Sequence, residues 1–311
     1  MTENPADFER FHRYYYESKG QIDQRIDEIL DDHKDFATHR RLLSHATVGG
    51  KRVRPVLTTL TADVYGTPYD KALNHAAIVE LIHNASLVVD DRVDGDEDRR
   101  GKPAMWRVLD RLPFGRTGEK VTNALTVMTQ NGLLAVALEV AEDPDVVNAM
   151  GQSVNRLVDG FFMEGREVFR GLLGGGYDRY IEINKTKTGG LFALATWMPA
   201  TYVDVGEGGV NAARKYGESV GILYQVTDDY VDGDLPSFID DPGAEMETWY
   251  EEAISWVPEM PDGENKDLLY VAPAYMAFKM LEQEGMVGDV DVSFIPGLSE
   301  VDLKSVPEEV K

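Results

Sequence analysis

Six aspartates in two groups are the side chains of this sequence best placed to do chemistry. Asp90, Asp91 and Asp94 lie in LVVDDRVDGDEDRRG, and Asp228, Asp229 and Asp232 in YQVTDDYVDGD. Each group reads D-D-x-x-D and follows an apolar, helix-forming stretch. On a helix, residues four apart lie about one turn apart on one face, so Asp90 pairs with Asp94 and Asp228 with Asp232. Two such pairs facing each other across a helical cavity are too costly to keep charged without cations. Mg²⁺ suits the task, because it takes oxygen ligands, keeps several waters and is completed by substrate phosphates. Either cluster alone is equally consistent with a solvated acidic helix face. The surrounding residues separate the two readings.

Arg99, Arg100, Gly101, Lys102 and Pro103 follow the first cluster, a basic patch about two turns beyond the carboxylates if the helix persists. Upstream, Gly49, Gly50, Lys51, Arg52, Val53, Arg54 and Pro55 place three cations in four residues after a glycine pair. Flexible backbone with Lys and Arg grips phosphate, the guanidinium as a bidentate fork and the ammonium as a point charge. GGKRVRP is no P-loop, since it lacks the G-x-x-x-x-G-K-[ST] spacing. A third cationic group, Lys185, Thr186, Lys187, Thr188, Gly189 and Gly190, sits among apolar residues.

The ordered set GGKRVRP, ELIHNASLVVDDRVDGDEDRRGKP, NKTKTGGLF and YQVTDDYVDGD, over roughly residues 40 to 235, resembles the trans-isoprenyl diphosphate synthases. Archaeal geranylgeranyl diphosphate synthases are the members it resembles. The resemblance implies an isoprenoid-synthase bundle, a head-to-tail prenyltransferase activity, and Mg²⁺, three ions when diphosphate is bound. It implies that Asp90, Asp91, Asp94, Asp228, Asp229 and Asp232 serve the metal ions, with Arg99 and Lys187 on the allylic diphosphate. Lys51, Arg54, His83 and Arg100 would hold isopentenyl diphosphate, and Thr188 and Gln225 would face the reacting allylic carbon. A homodimer is expected on the same ground.

The chemistry open to these residues is ionisation, condensation and elimination. Cations stabilise charge building on a departing diphosphate, an electrostatic task that often supplies the largest share of catalysis. The allylic cation left behind is attacked by the double bond of isopentenyl diphosphate, and loss of a proton gives a product one five-carbon unit longer. No Ser/His/Asp or Cys/His nucleophile set is evident or required. Two other classes stay open. A class I terpene cyclase would share one aspartate-rich motif but would not need the second diphosphate site of Lys51, Arg54 and Arg100. A non-catalytic subunit modulating an active synthase is the other.

The sequence departs from the family pattern in places. The family carries a Gly-Lys pair soon after the second cluster, whereas GDLPSFIDDPGAEMETWYEE, residues 233–252, holds neither Lys nor Arg. Gly160-Phe161 stands where the family has Gly-Gln, and Asn131-Gly132-Leu133-Leu134 where it has Gly-Asp before Leu-Leu. The residues beyond Asp240 match no familiar C-terminal helices. By resemblance, side chains one and two turns before the first cluster floor the product tunnel, and here they are Ala85 and Ser86, with no aromatic. Products of twenty carbons or more are therefore expected, unless Phe161 or Phe162 closes the tunnel from another helix.

Composition bounds the setting. Asp and Glu number 55 against 31 Lys and Arg, a net charge of −24 spread along the 311 residues. Such a surface repels diphosphates at low salt, whereas in molar salt the Debye length is about 3 Å and local cationic contacts survive. A high-salt cytoplasm is the expected location, and nucleic-acid binding is disfavoured. With no cysteine, disulfides and thiolate metal sites are excluded. MTENPADFERFHRYYYESKG lacks the apolar core of a signal peptide, and no stable membrane insertion is expected.

Apolar residues recur at helical spacing over residues 5–31, 37–46, 53–64, 70–94, 117–142, 145–170, 177–202 and 208–233. Turn signals fall at Gly49-Gly50, Gly66 to Pro68, Pro113 to Gly115, Gly174 to Gly176 and Gly206 to Gly209. This predicts an all-α, single-domain bundle around a central cavity, spanning 1–311. Residues 236–265 read as a loop with a short helix that could lid the cavity, 266–285 as a helix and 286–311 as an irregular tail. Trp106, Trp197, Trp249 and Trp256 read as packing residues.

Overall fold

The computed structural model of the chain describes residues 5–32, 37–112, 118–169, 176–287 and 289, and their regular structure is almost entirely helical. In order they form α1 (Pro5–Asp31), α2 (Ala37–Thr47), α3 (Val53–Tyr65), α4 (Tyr69–Asp94) and a minimal hairpin, β1 (Asp98–Arg99) with β2 (Lys102–Pro103). Then come α5 (Met105–Asp110), α6 (Glu119–Val140), α7 (Pro144–Phe169) and α8 (Gly176–Asn184). A π-helical turn (Lys185–Gly189) leads into α9 (Gly190–Ala200), followed by α10 (Gly206–Asp232), α11 (Pro242–Ser255), a 3₁₀ turn (Val257–Glu259) and α12 (Leu268–Gln283).

Two helices are buried nearly all round and form the axis of the bundle. In α4, Ala72, Ala76, Ala77 and Ala85 let neighbours come close, while Ile78, Val79, Leu81, Ile82 and Val88 fill the spaces. Helices α1, α3, α6 and α9 pack around it. In α9 the run GLFALATWMPA is apolar on every side, and α3, α4, α7 and α10 cover it. A helix hydrophobic all round belongs in a core. Gly221 of α10 lies so close to the π turn that a Cβ there would stand 2.7 Å from Gly189 Cα. That contact sets the second aspartate cluster beside the Lys-Thr-Lys-Thr segment.

The expected helices are present, with four differences. The run 177–202 is α8 and α9 joined by the π turn rather than one continuous helix, and a π turn inside a helix commonly marks a functional site. The helix bearing the first cluster ends at Asp94, as the run 70–94 predicts, but because Gly95 turns left-handed (φ 79°) the basic patch folds back in the hairpin instead of lying two turns further along the helix. Between 236 and 265 stands α11, whose start is capped by Asp241 accepting from Ala244 N, with Pro242 in the first turn. It buries Met246, Tyr250 and Ala253 at helical spacing and packs against α10 and α12. That stripe joins the core, and none of the segment's residues lines the cavity described below. Its dense Asp and Glu hid that spacing. Short α5 also went unforeseen. Gly66 (φ 67°) and Gly206 (φ 71°) make their predicted turns. Residues 113–117 and 174–175, and the tail at 288 and 290–311, lie outside the described residues.

By length and composition alone α4 and α6 are each long and apolar enough to cross a membrane, a test that buried core helices also pass. For α4 the reason is its place in the core, with 83% of its most apolar window buried. For α6 the figure is 39%, which leaves an apolar face outward.

Candidate active site

Helices α4 and α10 end alike, each on the third aspartate of its cluster and each followed by a left-handed glycine, Gly95 (φ 79°) and Gly233 (φ 77°). The carboxylates thus occupy the last turns, where the helix carbonyls already carry partial negative charge. Asp90 and Asp228 line one cavity of ≈ 670 Å³, while Asp94 and Asp232 are exposed at the helix ends. Burial pushes the Asp90 carboxyl up to about 6, against the pull of Lys187 and with a push from Asp94. Asp228 is likewise pushed up to about 6 by burial, then by Asp232, with Lys51 opposing. Both outer carboxylates are thus poised to gain from a cation.

The middle aspartates are already engaged. Asp91, 3% exposed, faces away from the large cavity and accepts Arg99 Nε at 2.6 Å. Asp229 accepts Tyr180 Oη at 2.6 Å on one oxygen and Gln225 Nε2 at 2.7 Å on the other. Burial raises both carboxyls, and these hydrogen bonds oppose it.

Cations converge on the same cavity from three elements. Lys51 and Arg54 come from the entry to α3, the loop before it and its first turn, Arg99 and Arg100 from the hairpin, and Lys187 from the π turn. The entry loop is left-handed at Gly49, Gly50 and Arg52. A Cβ on Gly50 would fall 2.5 Å from Arg100 Cζ, so glycine lets that guanidinium lie on the backbone. Arg54 stacks over Phe192 at 4.4 Å from the ring centroid, and its Nε is buried without a partner. Its Nη1 stands 3.4 Å from His83 Nε2. Burial, then Arg54 and Arg100, hold His83 well below the ordinary histidine range, so it stands in the cavity as a neutral ring. Arg52, though in the same motif, is buried and pairs with Asp23 and Glu80.

On the π turn, Lys187 Nζ bonds Glu164 Oε2 at 2.6 Å and lies 4.9 Å from the Phe161 ring centroid. Lys185 points elsewhere, to Glu218. A Cβ on Gly160 would fall 2.7 Å from Lys187 Cα, which explains the glycine on α7. Thr188 Oγ1 donates to Gln225 Oε1 at 2.6 Å, continuing the chain to Asp229 and Tyr180. Both Thr188 and Gln225 line the cavity. Of the presumed tunnel residues, Ser86 lines the cavity, whereas Ala85 is buried in the core. Phe161 also lines it, while Phe162 is 73% exposed.

The structure adds residues that the motifs did not single out. Glu80, Tyr224 and Glu284 line the cavity, and Glu164 accepts from Lys187; Asn84 bonds Arg100, and Tyr15 donates to Lys51 O. Glu80 had a signal, a lone acid within the apolar run AAIVELI. Tyr15 had none, being 36 residues from its partner.

The donor set fits Mg²⁺. Asp90 and Asp228 offer only oxygen, and among the described residues no three His, Cys, Asp or Glu side chains converge into a closed metal cage. An ion shared with substrate phosphates needs no such cage.

Residues 37–235 match the polyprenyl synthetase family model. The chain is 29% identical over 219 residues to a geranylgeranyl pyrophosphate synthase of Geoglobus acetivorans, covering 68% of this chain and 64% of that one. It is 33% identical over 215 residues to a short chain isoprenyl diphosphate synthase of Methanothermobacter thermautotrophicus, covering 68% and 62%. The matches therefore span less than two thirds of those relatives' lengths. The crystal structure of a decaprenyl diphosphate synthase from Rhodobacter capsulatus superposes with a TM-score of 0.73 at 20% identity, over 88% of this chain and 99% of that one. At 88% of the chain, this likeness of fold covers more of it than the family match over 37–235 does. With the family match covering most of the chain, and the paired aspartates and cations gathered on one cavity, this protein is a member of the polyprenyl synthetase family.

Proposed function

We propose that the protein is a head-to-tail prenyltransferase, joining isopentenyl diphosphate to an allylic diphosphate to give a trans-polyprenyl diphosphate of twenty or more carbons. One observation carries this reading: the first carboxylate of each cluster and two sets of cations face a single cavity. One set, Arg99 and Lys187, lies among the aspartates; the other, Lys51, Arg54 and Arg100, lies toward α3. A cyclase needs only one diphosphate site.

Asp90, Asp94, Asp228 and Asp232 would hold Mg²⁺, which when bound stabilises charge on the departing diphosphate. Arg99 and Lys187 bind the allylic diphosphate and orient its C1–O bond, which breaks with both electrons going to oxygen. Lys51, Arg54 and Arg100 hold the second diphosphate so that its double bond meets the allylic carbon. Gln225 is locked by Thr188 and Asp229, fixing its amide against the reacting end of the cavity. A new C–C bond forms, and the proton lost from the adjacent carbon passes to the released diphosphate. Leu87, Leu157 and Leu191 give the cavity an apolar wall that keeps water from the cation. Ser86 leaves room for a chain beyond farnesyl length, and Phe161 is the aromatic that would limit it.

The active form is a homodimer in a salt-rich cytoplasm. Helices α6 and α7 expose Val127, Met128, Leu138, Val147, Val158 and Phe162, an apolar set unusual on so acidic a surface. Met128→Glu with Phe162→Glu should convert a dimer to a monomer by light scattering; an unchanged mass would move the interface elsewhere.

The test of the activity is an assay in molar KCl with Mg²⁺, labelled isopentenyl diphosphate and dimethylallyl, geranyl or farnesyl diphosphate. Products of twenty or more carbons that vanish in Asp90→Ala are expected. No elongation from any primer, by folded protein at that salt, would overturn the reading in favour of a modulatory subunit or cyclase.

A further inference from the structure

The two cation sets differ in their protein partners. Arg99 and Lys187 pair with Asp91 and Glu164. Lys51, Arg54 and Arg100 form no ion pair among the described residues, although they crowd one side of a cavity. Like charges in that arrangement need something to hold them.

A single buried carboxylate stands behind all three. Glu80, 2% exposed, takes Arg52 Nη1 and also Asn84 Nδ2, the latter at 2.8 Å on the same Oε1. Through Arg52 it governs the entry loop. Arg52 Nη2 reaches back to Thr47 O at 2.5 Å and its Nε to Asp23 at 2.7 Å, cinching the loop from end to end. The segment between them carries the left-handed Gly49 and Gly50 and presents Lys51; Arg54 follows in the first turn of α3. Through Asn84, Glu80 governs the hairpin. Asn84 Oδ1 accepts Arg100 Nη1 at 3.2 Å, and the same nitrogen bonds Gly49 O at 3.0 Å. Asn84 lies one turn after Glu80 on α4, so both arms start from one rigid surface.

We infer that Glu80 is the positioning residue of the metal-independent diphosphate clamp, setting the spacing of Lys51, Arg54 and Arg100 through Arg52 on one side and Asn84 on the other. It acts through those residues and not on substrate. Its negative charge also lies close enough to favour the charged forms of Arg54 and Arg100. That the clamp receives isopentenyl diphosphate rests on the proposed function; that Glu80 organises a diphosphate site does not.

Calorimetric titration of inorganic diphosphate into metal-free protein separates the two. Wild type should bind, Arg54→Ala should not, and Glu80→Gln should weaken binding about 10- to 100-fold, the usual penalty for small misplacements of binding groups. Asn84→Ala cuts only the hairpin arm and leaves Arg52 with Glu80, so an intermediate loss is expected there, and it carries the test if Glu80→Gln fails to fold. In steady state, Glu80→Gln should raise KM for isopentenyl diphosphate while leaving KM for the allylic substrate near wild type. A purely structural role would raise both together and would overturn the inference. So would wild-type diphosphate affinity in folded Glu80→Gln. Failure of folded wild type to bind diphosphate would instead overturn the clamp itself, whatever the assay of elongation shows.

Discussion

The two aspartate clusters share a spelling, a helix end and a left-handed glycine, yet their surroundings diverge after the third carboxylate. Behind the first, the chain folds into a hairpin that returns two arginines, one of them to Asp91. Behind the second, residues 233–252 bring no cation, and Asp229 is held by the neutral donors Tyr180 and Gln225. One cluster is therefore wired to charge and the other to neutral hydrogen bonds. D-D-x-x-D thus encodes three jobs in each place: an outer carboxylate offered to the cavity, a middle one spent on positioning, and a last one at the helix end.

If that division is right, removing an outer aspartate should cost far more than any other change at the clusters. Asp90→Ala and Asp228→Ala should each cut elongation about 10³-fold or more, as removal of a group stabilising transition-state charge does. Incorporation of labelled isopentenyl diphosphate measures it. A mild loss in one but not the other would break the symmetry of the outer pair. The middle aspartates should sharpen the contrast with smaller, different effects. Asp91→Asn releases Arg99 and should raise KM for the allylic substrate about 10- to 100-fold with kcat less affected. Asp229→Asn unlocks Gln225 and should lower kcat about tenfold, the worth of one hydrogen bond to a charged group, with KM little changed. Equal KM and kcat effects in both would show that the two middle residues do the same work.

The outer pair also predicts a pH response. Asp90 and Asp228 are both raised to about 6 in the folded, metal-free protein, whereas in the unfolded chain they titrate near the ordinary carboxyl value of about 4. Between those values the native state holds more protons than the unfolded one, so this pair's contribution to stability falls as pH rises from about 4 through 6. Below that window the contribution is unaffected, and above it the loss is complete. Asp90→Asn with Asp228→Asn should therefore melt several degrees higher than wild type at pH 7, with the gap closing toward pH 4. A constant gap across that range would mean that the carboxylates are not strained by burial.

Much of this site was legible because charge is conspicuous in an apolar helix. The D-D-x-x-D spacing, the glycine before Lys51 and the Lys187-Thr188 pair each carry their chemistry in residue type and order. What the sequence concealed depends on approach between distant segments. Arg99 reads as lying two turns past the cluster, but Gly95 reverses the chain and Arg100 adopts a left-handed φ of 56°, which no local propensity favours. The division of labour between Asp90 and Asp91 follows from a rotation of about 100° per residue, yet which of them faces the cavity is decided by what packs on α4. Helix α11 was hidden for the opposite reason. Its acidic exposed face dominates its composition, while Met246, Tyr250 and Ala253 bury a narrow stripe.

The smallest expected effect probes the cation missing behind the second cluster. Asp234 follows Gly233 directly, is exposed, and its backbone N–H bonds Asp229 O at 2.8 Å, so its side chain leaves from the edge of the cluster. It also pushes the Asp229 carboxyl upward. Asp234→Lys exchanges that repulsion for attraction toward a diphosphate, and should lower KM for the allylic substrate a few-fold at low salt, the scale of one exposed charge contact. In molar KCl, with a Debye length of about 3 Å, the gain should vanish unless the new ammonium touches the phosphate itself. Measuring KM at both salts therefore separates a general field effect from a restored contact. A gain that survives molar salt would mean that the second cluster can be wired to charge like the first. No gain at either salt would mean that the neutral wiring through Tyr180 and Gln225 already suffices, and that the asymmetry between the clusters carries no cost in binding.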